Sequence, residues 1–457
     1  MILYSFIFLI AVAVMVVFGN WRRGLFGFIL IALLQDPVRK LVPGAPAYLV
    51  MSTTPVLIAI IFQAFFFWHG LLSALRRNFP RIAKALLLLV LSMLPPIAIS
   101  ASYGAGSWQL TLVGIFSYGT LLFCIALGYL FPLREEDITR LLAFYVICAS
   151  IMLIGTPLEY YKLFPDWQAL GTQAMNVAWV RYIPGATVKM IAGFFRSPDV
   201  MGWHASTVTM FSLILAMRSR GNIRNRNAWI ALAVWGVVGN IFCGRRKMIM
   251  MLPVFAGVFS WVYWHLRYRL KTGIKMTAIV TVLVLASVGT VTIYSMMSPD
   301  DTFMQYYTND PTDIVRQVDA HGRGEVTETF RQYGWLGAGL GSATPGVHNL
   351  SVERPRTWQE GGLGRIAVEL GLPGFILFLY FGYCVLRSIL EVMLYRADCN
   401  SPAFPIYVGL FSIVAANTSA FVVSGQIFGD PFIIAIFSLM IGMTLSCDRV
   451  CGVAQKV

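Results

Sequence analysis

Three consecutive cations interrupt an apolar stretch at Gly244-Arg245-Arg246-Lys247. Hydrophobic residues flank them on both sides, with almost no loop between. A charge at the edge of a bilayer is costly, and three adjacent ones exceed what a tight turn needs. Guanidinium forks match phosphate oxygens in shape and charge. Arg245 and Arg246 therefore read as an anion site, most naturally for phosphate or pyrophosphate. The bland counterpart is a short hairpin whose long side chains snorkel to lipid phosphates.

Other polar residues gather in two long segments. The first carries Arg181, Lys189 and Arg196, the last within Gly193-Phe-Phe-Arg-Ser-Pro198-Asp199. Each is either a cation at a cavity mouth or a solvated loop charge. The second runs from His321-Gly-Arg323 through Glu325, Glu328 and Arg331 to Trp335 and the string Gly337-Ala-Gly339-Leu-Gly341. That string lacks the Lys-Ser/Thr of a nucleotide-binding loop and reads instead as close backbone packing near a ligand or turn. Further on come His348-Asn349, Trp358, Glu360, Arg365 and Glu369. Arg365 and Glu369 stand at i, i+4 and pair on a helix. Glu360 has no such local partner. It reads either as a general base with a raised pKa or as a helix-start carboxylate favoured by the dipole. No HExxH or similar spacing occurs, so no zinc site is expected.

These groups must be held by membrane helices. The chain has 457 residues, 58% of them hydrophobic and only 12% charged, with a mean hydropathy of +0.71. A soluble globular chain carries about 25% charged residues. The apolar residues form runs near the ~20 needed to cross the hydrocarbon layer. The expected fold is an all-α, polytopic helix bundle of about 12–13 spans with two large non-cytoplasmic loops. Spans are expected near 2–19, 24–35, 47–68, 85–101, 108–131, 140–157, 201–217, 228–244, 248–266, 276–297, 372–390, 403–424 and 431–447. The 24–35 run is short enough to be half-inserted. The organisation is 1–157 (N-terminal helices), 158–200 (first large loop), 201–297 (central helices), 298–371 (second large loop) and 372–457 (C-terminal helices and a short tail).

The seven scattered cysteines form no CxxC pair and read as packing residues. The first helix reads as a retained signal anchor. Basic clusters recur on alternate loops: Arg22/Arg23; Arg76, Arg77, Arg81 and Lys84; Arg218, Arg220, Arg224 and Arg226; Arg267, Arg269, Lys271 and Lys275. Placed in the cytoplasm, they satisfy the positive-inside rule and account for the net charge of +14 without nucleic acid. The 244–247 cluster then lies on the opposite, charge-poor side.

Four stretches, in order, carry a resemblance: Gly193–Pro198, Gly244–Arg246, Arg323–Gly341 and Glu360–Gly374, the last closing on E-x-G-x-x-G. On this hydropathy pattern the chain resembles the O-antigen polymerase/ligase superfamily, which includes Wzy-type polysaccharide polymerases and WaaL-type O-antigen ligases. The resemblance implies a GT-C-like helical enzyme of the bacterial inner membrane, with its large loops periplasmic. It implies inverting glycosyl transfer without metal or cofactor, in surface or exopolysaccharide biosynthesis. The donor would be a glycan on undecaprenyl pyrophosphate and the acceptor a second glycan or lipid, with room for polysaccharide-export partners. Arg245, Arg246, Arg196, Lys189 and Arg323 would hold the pyrophosphate. Glu360 or His348 would be the base, and Trp335 and Trp358 would touch sugar. The ligases commonly place His-Asn nine residues before the Glu of E-x-G-x-x-G; here that position is Glu360. Either Glu360 replaces the base or His348-Asn349 supplies it.

Two other classes compete. A transporter or flippase for a polysaccharide or lipid-linked substrate should line a path through the bilayer with charge, whereas the mid-span regions here are nearly free of Asp, Glu, Lys and Arg. A non-catalytic envelope assembly partner needs no site at all.

Overall fold

The computed structural model describes residues 1–67, 71–163, 170–171, 179–183, 186–219, 221–268, 319–345, 347, 350, 352, 355, 357–425 and 427–451. In chain order the helices are α1 (Ile2–Gly19), α2 (Trp21–Leu41), α3 (Thr54–Phe67), α4 (Leu71–Asn78), α5 (Pro80–Ser92), α6 (Leu94–Ala101), α7 (Ser107–Leu130), α8 (Glu135–Leu153), α9 (Gly155–Tyr160), α10 (Pro198–Arg218), α11 (Ile223–Phe242), α12 (Arg246–Ile249), α13 (Met251–Tyr268), α14 (Glu325–Tyr333), α15 (Gly362–Glu391), α16 (Phe404–Val423), α17 (Pro431–Leu445) and α18 (Cys447–Cys451). One antiparallel hairpin, β1 (Val180–Ile183) and β2 (Ala186–Lys189), pairs Val180 with Lys189. Among the described residues, nine helical stretches are long and apolar enough to cross a membrane. The chain is therefore an all-α, multi-pass membrane protein.

Where the described residues overlap the expected spans, the structure lengthens the helix at 24–35 and adds a segment before the one at 372. The 24–35 run lies within α2, a helix of 21 residues that is not among the nine stretches long and apolar enough to cross. Its charged ends hid its length, because Arg22 and Arg23 occupy its first turn and Arg39 and Lys40 its last. The helix expected from 372 starts there, after Gly371 breaks it from a preceding helical segment that begins at Gly362. The span expected at 276–297 lies outside the described residues.

The chain divides into two compact units. The first comprises Met1–Ala64, Arg134–Thr312 and Cys399–Ala416. Its centre is α10, buried on all sides, as a helix surrounded by other helices must be. Ser197 caps it, accepting from Val200 N, and Pro198 occupies its first turn. The backbone of α11 packs directly on α10 at Gly236, where a Cβ would stand 2.8 Å from Ala205 O. Such small-residue crossings replace the hydrophobic drive that is absent between helices in lipid. The two ends of this unit are distinct. Arg218, at the end of α10, pairs with Glu135, at the start of α8. The start of α10 meets the ends of α2, α9 and α11, as detailed below.

The second unit comprises Phe65–Leu133, Asp313–Asp398 and Asn417–Val457. Here α7 and α17 cross at Gly128 and Gly442, where added methyls would overlap Leu439 O and Ile125 O. The string Gly337–Gly341 lies against three helices. Ala338 N donates to Val368 O (2.7 Å), Leu340 N to Pro96 O (3.1 Å) and Ser100 Oγ to Leu340 O (2.6 Å). Its three glycines have φ of 73°, 85° and 83°. The expectation of tight backbone packing is met. Gly371 breaks α15 at φ 65°, which lets Leu372 N donate to Trp335 O at 2.8 Å.

Gly341→Ala combines a positive φ with a methyl that would overlap Leu110 O. It is expected to destabilise by more than the ~1 kcal/mol typical of a point change, read as a lower melting temperature of the detergent-purified protein.

Candidate functional site

The candidate residues fall into two groups, one in each unit. In the first unit they collect around the α11–α12 turn. Gly244 takes φ 70°, and a side chain there would overlap Met190 Sδ. Met190 N donates to Trp179 O (2.8 Å), which closes the base of the β1–β2 hairpin over the turn. The Arg245 guanidinium lies 5.7 Å from the Trp179 ring centroid, a cation–π distance.

Asp199, in the first turn of α10, is the anion of the group. Its Oδ2 takes Arg245 Nη2 at 3.0 Å and its Oδ1 takes Lys247 Nζ at 2.9 Å. One carboxylate thus serves two cations, and Arg246 stands beside them half-buried. The Arg245 side chain is only 8% exposed, and its Nε is buried without a hydrogen-bond partner among the described residues. A buried guanidinium with an unused donor has capacity left for an anion.

The adjoining 192–196 loop is fixed from three sides. Lys40 Nζ donates to Gly193 O (2.8 Å) and Phe195 O (2.6 Å). Glu159 Oε2 accepts from Ala192 N (3.1 Å) and Gly193 N (2.6 Å). Asp36 accepts from Arg196 N (3.1 Å) and pairs with Arg196 Nη1 (3.2 Å). Arg196 is therefore already matched to a carboxylate. Lys189, at the end of β2, is exposed. The whole assembly lies at the end of α10 opposite the Arg218–Glu135 pair.

In the second unit, Arg323 and Trp335 are exposed. Trp358 is about half exposed and donates from Nε1 to Gln332 Oε1 at 2.7 Å. The Glu360 carboxylate is 61% exposed, with His321 Nε2 3.9 Å away. His348 and Asn349 lie outside the described residues. Glu369 pairs as its spacing predicted, with Arg365 Nε 3.6 Å from its Oε1. It also accepts from Tyr118 OH (2.8 Å) and Thr344 Oγ1 (2.7 Å) and is fully buried.

The reading of the residues passed over Glu325. Its carboxyl is 1% exposed and lies 3.7 Å from His321 Nδ1. Oε2 accepts from Gly361 N at 2.8 Å, while Oε1 is buried and accepts no hydrogen bond among the described residues. Burial pushes this carboxyl up from 4.5 to about 7; the Gly361 N–H offsets part of the rise and the neighbouring Glu360 carboxylate adds to it. One signal was present, His321 and Glu325 at i, i+4; the closeness of Gly361 and Gly364 to the carboxyl comes only from the fold. Asp199 was equally legible as an acidic residue in a helix's first turn, but its partners are distant in sequence. Among the described residues, no three His, Cys, Asp or Glu side chains gather as a metal site.

No protein-family model matches the chain, and no curated protein matches it.

Proposed function

We propose that this protein is a membrane glycosyltransferase, GT-C-like in build, which polymerises or ligates undecaprenyl-pyrophosphate-linked glycans at the periplasmic face of a bacterial inner membrane. The observation that carries the reading is Arg245: buried, within cation–π distance of Trp179, sharing Asp199 with Lys247 and retaining an unused Nε donor. A diphosphate leaving group is already anionic, and preorganised guanidinium donors stabilise the charge it gains as its bond to the sugar breaks. No metal is required for this. The acceptor hydroxyl needs a base, for which Glu360 and His348 are the candidates. Exposed Trp335 and Trp358 offer ring faces to sugar.

The test is incubation of the purified protein, in lipid nanodiscs with EDTA, with an undecaprenyl-pyrophosphate oligosaccharide. The expected result is longer chains, or transfer to a second lipid, at a rate the chelator does not change. Donor that stays intact with every acceptor sinks the reading, and donor moved between leaflets without bond cleavage replaces it with a flippase.

A further inference from the structure

We propose that the second unit carries a docking site for an anionic phospholipid: Arg81, Lys84 and Arg387 hold the headgroup phosphate, and the exposed faces of α5 and α15 carry the acyl chains. The site lies at the end of the unit that the positive-inside rule assigns to the cytoplasm. It stands independently of the glycan-transfer reading.

The charged end is built around a single carboxylate oxygen. Arg81, in the first turn of α5, reaches Glu391 Oε1 from Nη1 at 2.6 Å. Arg387, one turn before Glu391 on α15, donates to the same oxygen from Nε at 3.0 Å. Its Nη1 donates to Tyr383 OH at 3.3 Å. Two guanidinium groups therefore converge on one negative charge and leave a positive charge over. Both are about half exposed, so N–H donors stay open to a phosphate oxygen. Lys84 adds a further cation. It is exposed and stands at i, i+3 to Arg81 on α5. Arg76 and Arg77, in the last turn of α4, are exposed as well. Neither α4 nor α5 contains an acidic residue to balance them. Asp448, at the same end, pairs instead with Arg396 at 3.4 Å.

Beyond the cations each helix presents exposed apolar side chains. On α5 these are Leu88 and Leu91, which share the helical face of Arg81 and Lys84. On α15 they are Tyr383, Tyr380 and Ile376, which share the face of Arg387. The opposite faces are buried, at Ile82, Ala85 and Leu89 on α5 and at Cys384 and Ser388 on α15. The two helices pack on each other. From Arg81 to Leu91, and from Arg387 to Ile376, the helical rise is about 15 Å. That is half of the ~30 Å hydrocarbon layer, the depth of a single leaflet.

Apolar lipid-facing surface is common to all spans. The unbalanced cluster at its end is what selects the occupant here. A zwitterionic headgroup brings its own cation beside the phosphate and gains little from Arg81, Lys84 and Arg387. A headgroup with net negative charge gains from all three.

The test uses the full-length protein, stripped of lipid in detergent. The probe is phosphatidylglycerol with a photoreactive diazirine in its acyl chain, and phosphatidylcholine with the same chain is the comparison. Crosslinked peptides are read by mass spectrometry over a range of probe concentrations. Phosphatidylglycerol is expected to label residues 88–91 and 376–383, and phosphatidylcholine to label them far more weakly. Arg81→Gln/Arg387→Gln should weaken the anionic probe about thirtyfold, and Lys84→Gln about fivefold, because each basic group near an anionic headgroup contributes several-fold. Glu391→Gln should tighten it about fivefold by removing the carboxylate that competes for the same donors. That gain separates a lipid site from a brace between helices, which would lose stability in Glu391→Gln and gain no lipid. Melting curves accompany each variant, and if the double variant does not fold, Lys84→Gln and Glu391→Gln decide. Glycerol phosphate, a headgroup without chains, should not compete at the concentrations where the lipid binds. Equal labelling by phosphatidylcholine, labelling confined to other helices, unchanged affinity in the arginine and lysine variants, or weaker binding by Glu391→Gln would each overturn the site. Competition by glycerol phosphate at the lipid's own concentration would overturn the lipid as occupant in favour of a free phosphate.

Discussion

Replacing Arg245 by alanine is expected to abolish long-chain glycan while the protein still inserts and purifies as wild type does. The asymmetry of its surroundings separates the two effects. Removing one partner of a buried ion pair usually destabilises by about 3–5 kcal/mol, because the other charge is stranded. Here Asp199 is not stranded, since Lys247 Nζ stays 2.9 Å from its Oδ1. The structural cost should fall below that range. The chemical cost should not, because Arg246, the neighbouring guanidinium, lies outside the Asp199–Trp179 setting that holds Arg245. Loss of one preorganised donor to a developing oxyanion costs about 10²–10³-fold, and a bidentate fork supplies two.

Arg245→Lys sharpens the test. It keeps the charge and loses the plane, so it should insert normally and remain impaired, since an ammonium cannot reproduce bidentate contact. The measurement is the length distribution of glycan made by each purified variant, beside its yield and melting curve. Wild-type chain lengths from Arg245→Ala would remove the leaving-group role. Labelling that found residues 244–247 open to the cytoplasm would do the same.

What the sequence conveyed depended on the range of each interaction. The spans were legible because bilayer thickness sets their length wherever apolar residues run unbroken. That signal fell short at α2, whose helix runs past the apolar run at both ends. Charged residues there are neutralised by partners that hydropathy cannot see. Asp36 meets Arg196, and Lys40 meets the carbonyls of Gly193 and Phe195. The Arg365–Glu369 pair itself was legible because it spans one helical turn. Arg245 stood out because three cations in an apolar setting are conspicuous. Its counter-ion Asp199 did not, because only the α10–α11 crossing brings the two together. Glu325 and Glu360 show the same limit from the other side. Both are glutamates near glycines, and what separates a buried carboxyl from a solvated one is the packing of Gly361 and Gly364.

Glu369→Ala should be the most destabilising single change in the second unit. The carboxylate is fully buried and terminates four interactions at once: Arg365, Tyr118 OH, Thr344 Oγ1 and Ala343 N. Deleting it strands the Arg365 guanidinium in a site with 6% side-chain exposure, a loss of about 3–5 kcal/mol for a broken buried pair. Each orphaned donor adds about 1–3 kcal/mol, though not additively. Thr344 and Ala343 follow directly on the Gly337–Gly341 string, so the string's seat on α6, α7 and α15 should loosen with them. The melting temperature in detergent should fall by several degrees and glycan transfer should fall with it. Glu369→Gln should recover little, because it restores the shape and an acceptor but not the charge that Arg365 needs. The double variant Arg365→Met/Glu369→Met removes both charges at similar volume and should melt above Glu369→Ala, since apolar replacement of a whole buried pair is often neutral. If the double variant instead melts below the single one, the stabilising element is the hydrogen-bond network to Ser117, Tyr118 and Thr344 rather than the ion pair. Transfer that survives in a double variant of wild-type stability would assign Arg365 and Glu369 to scaffolding alone.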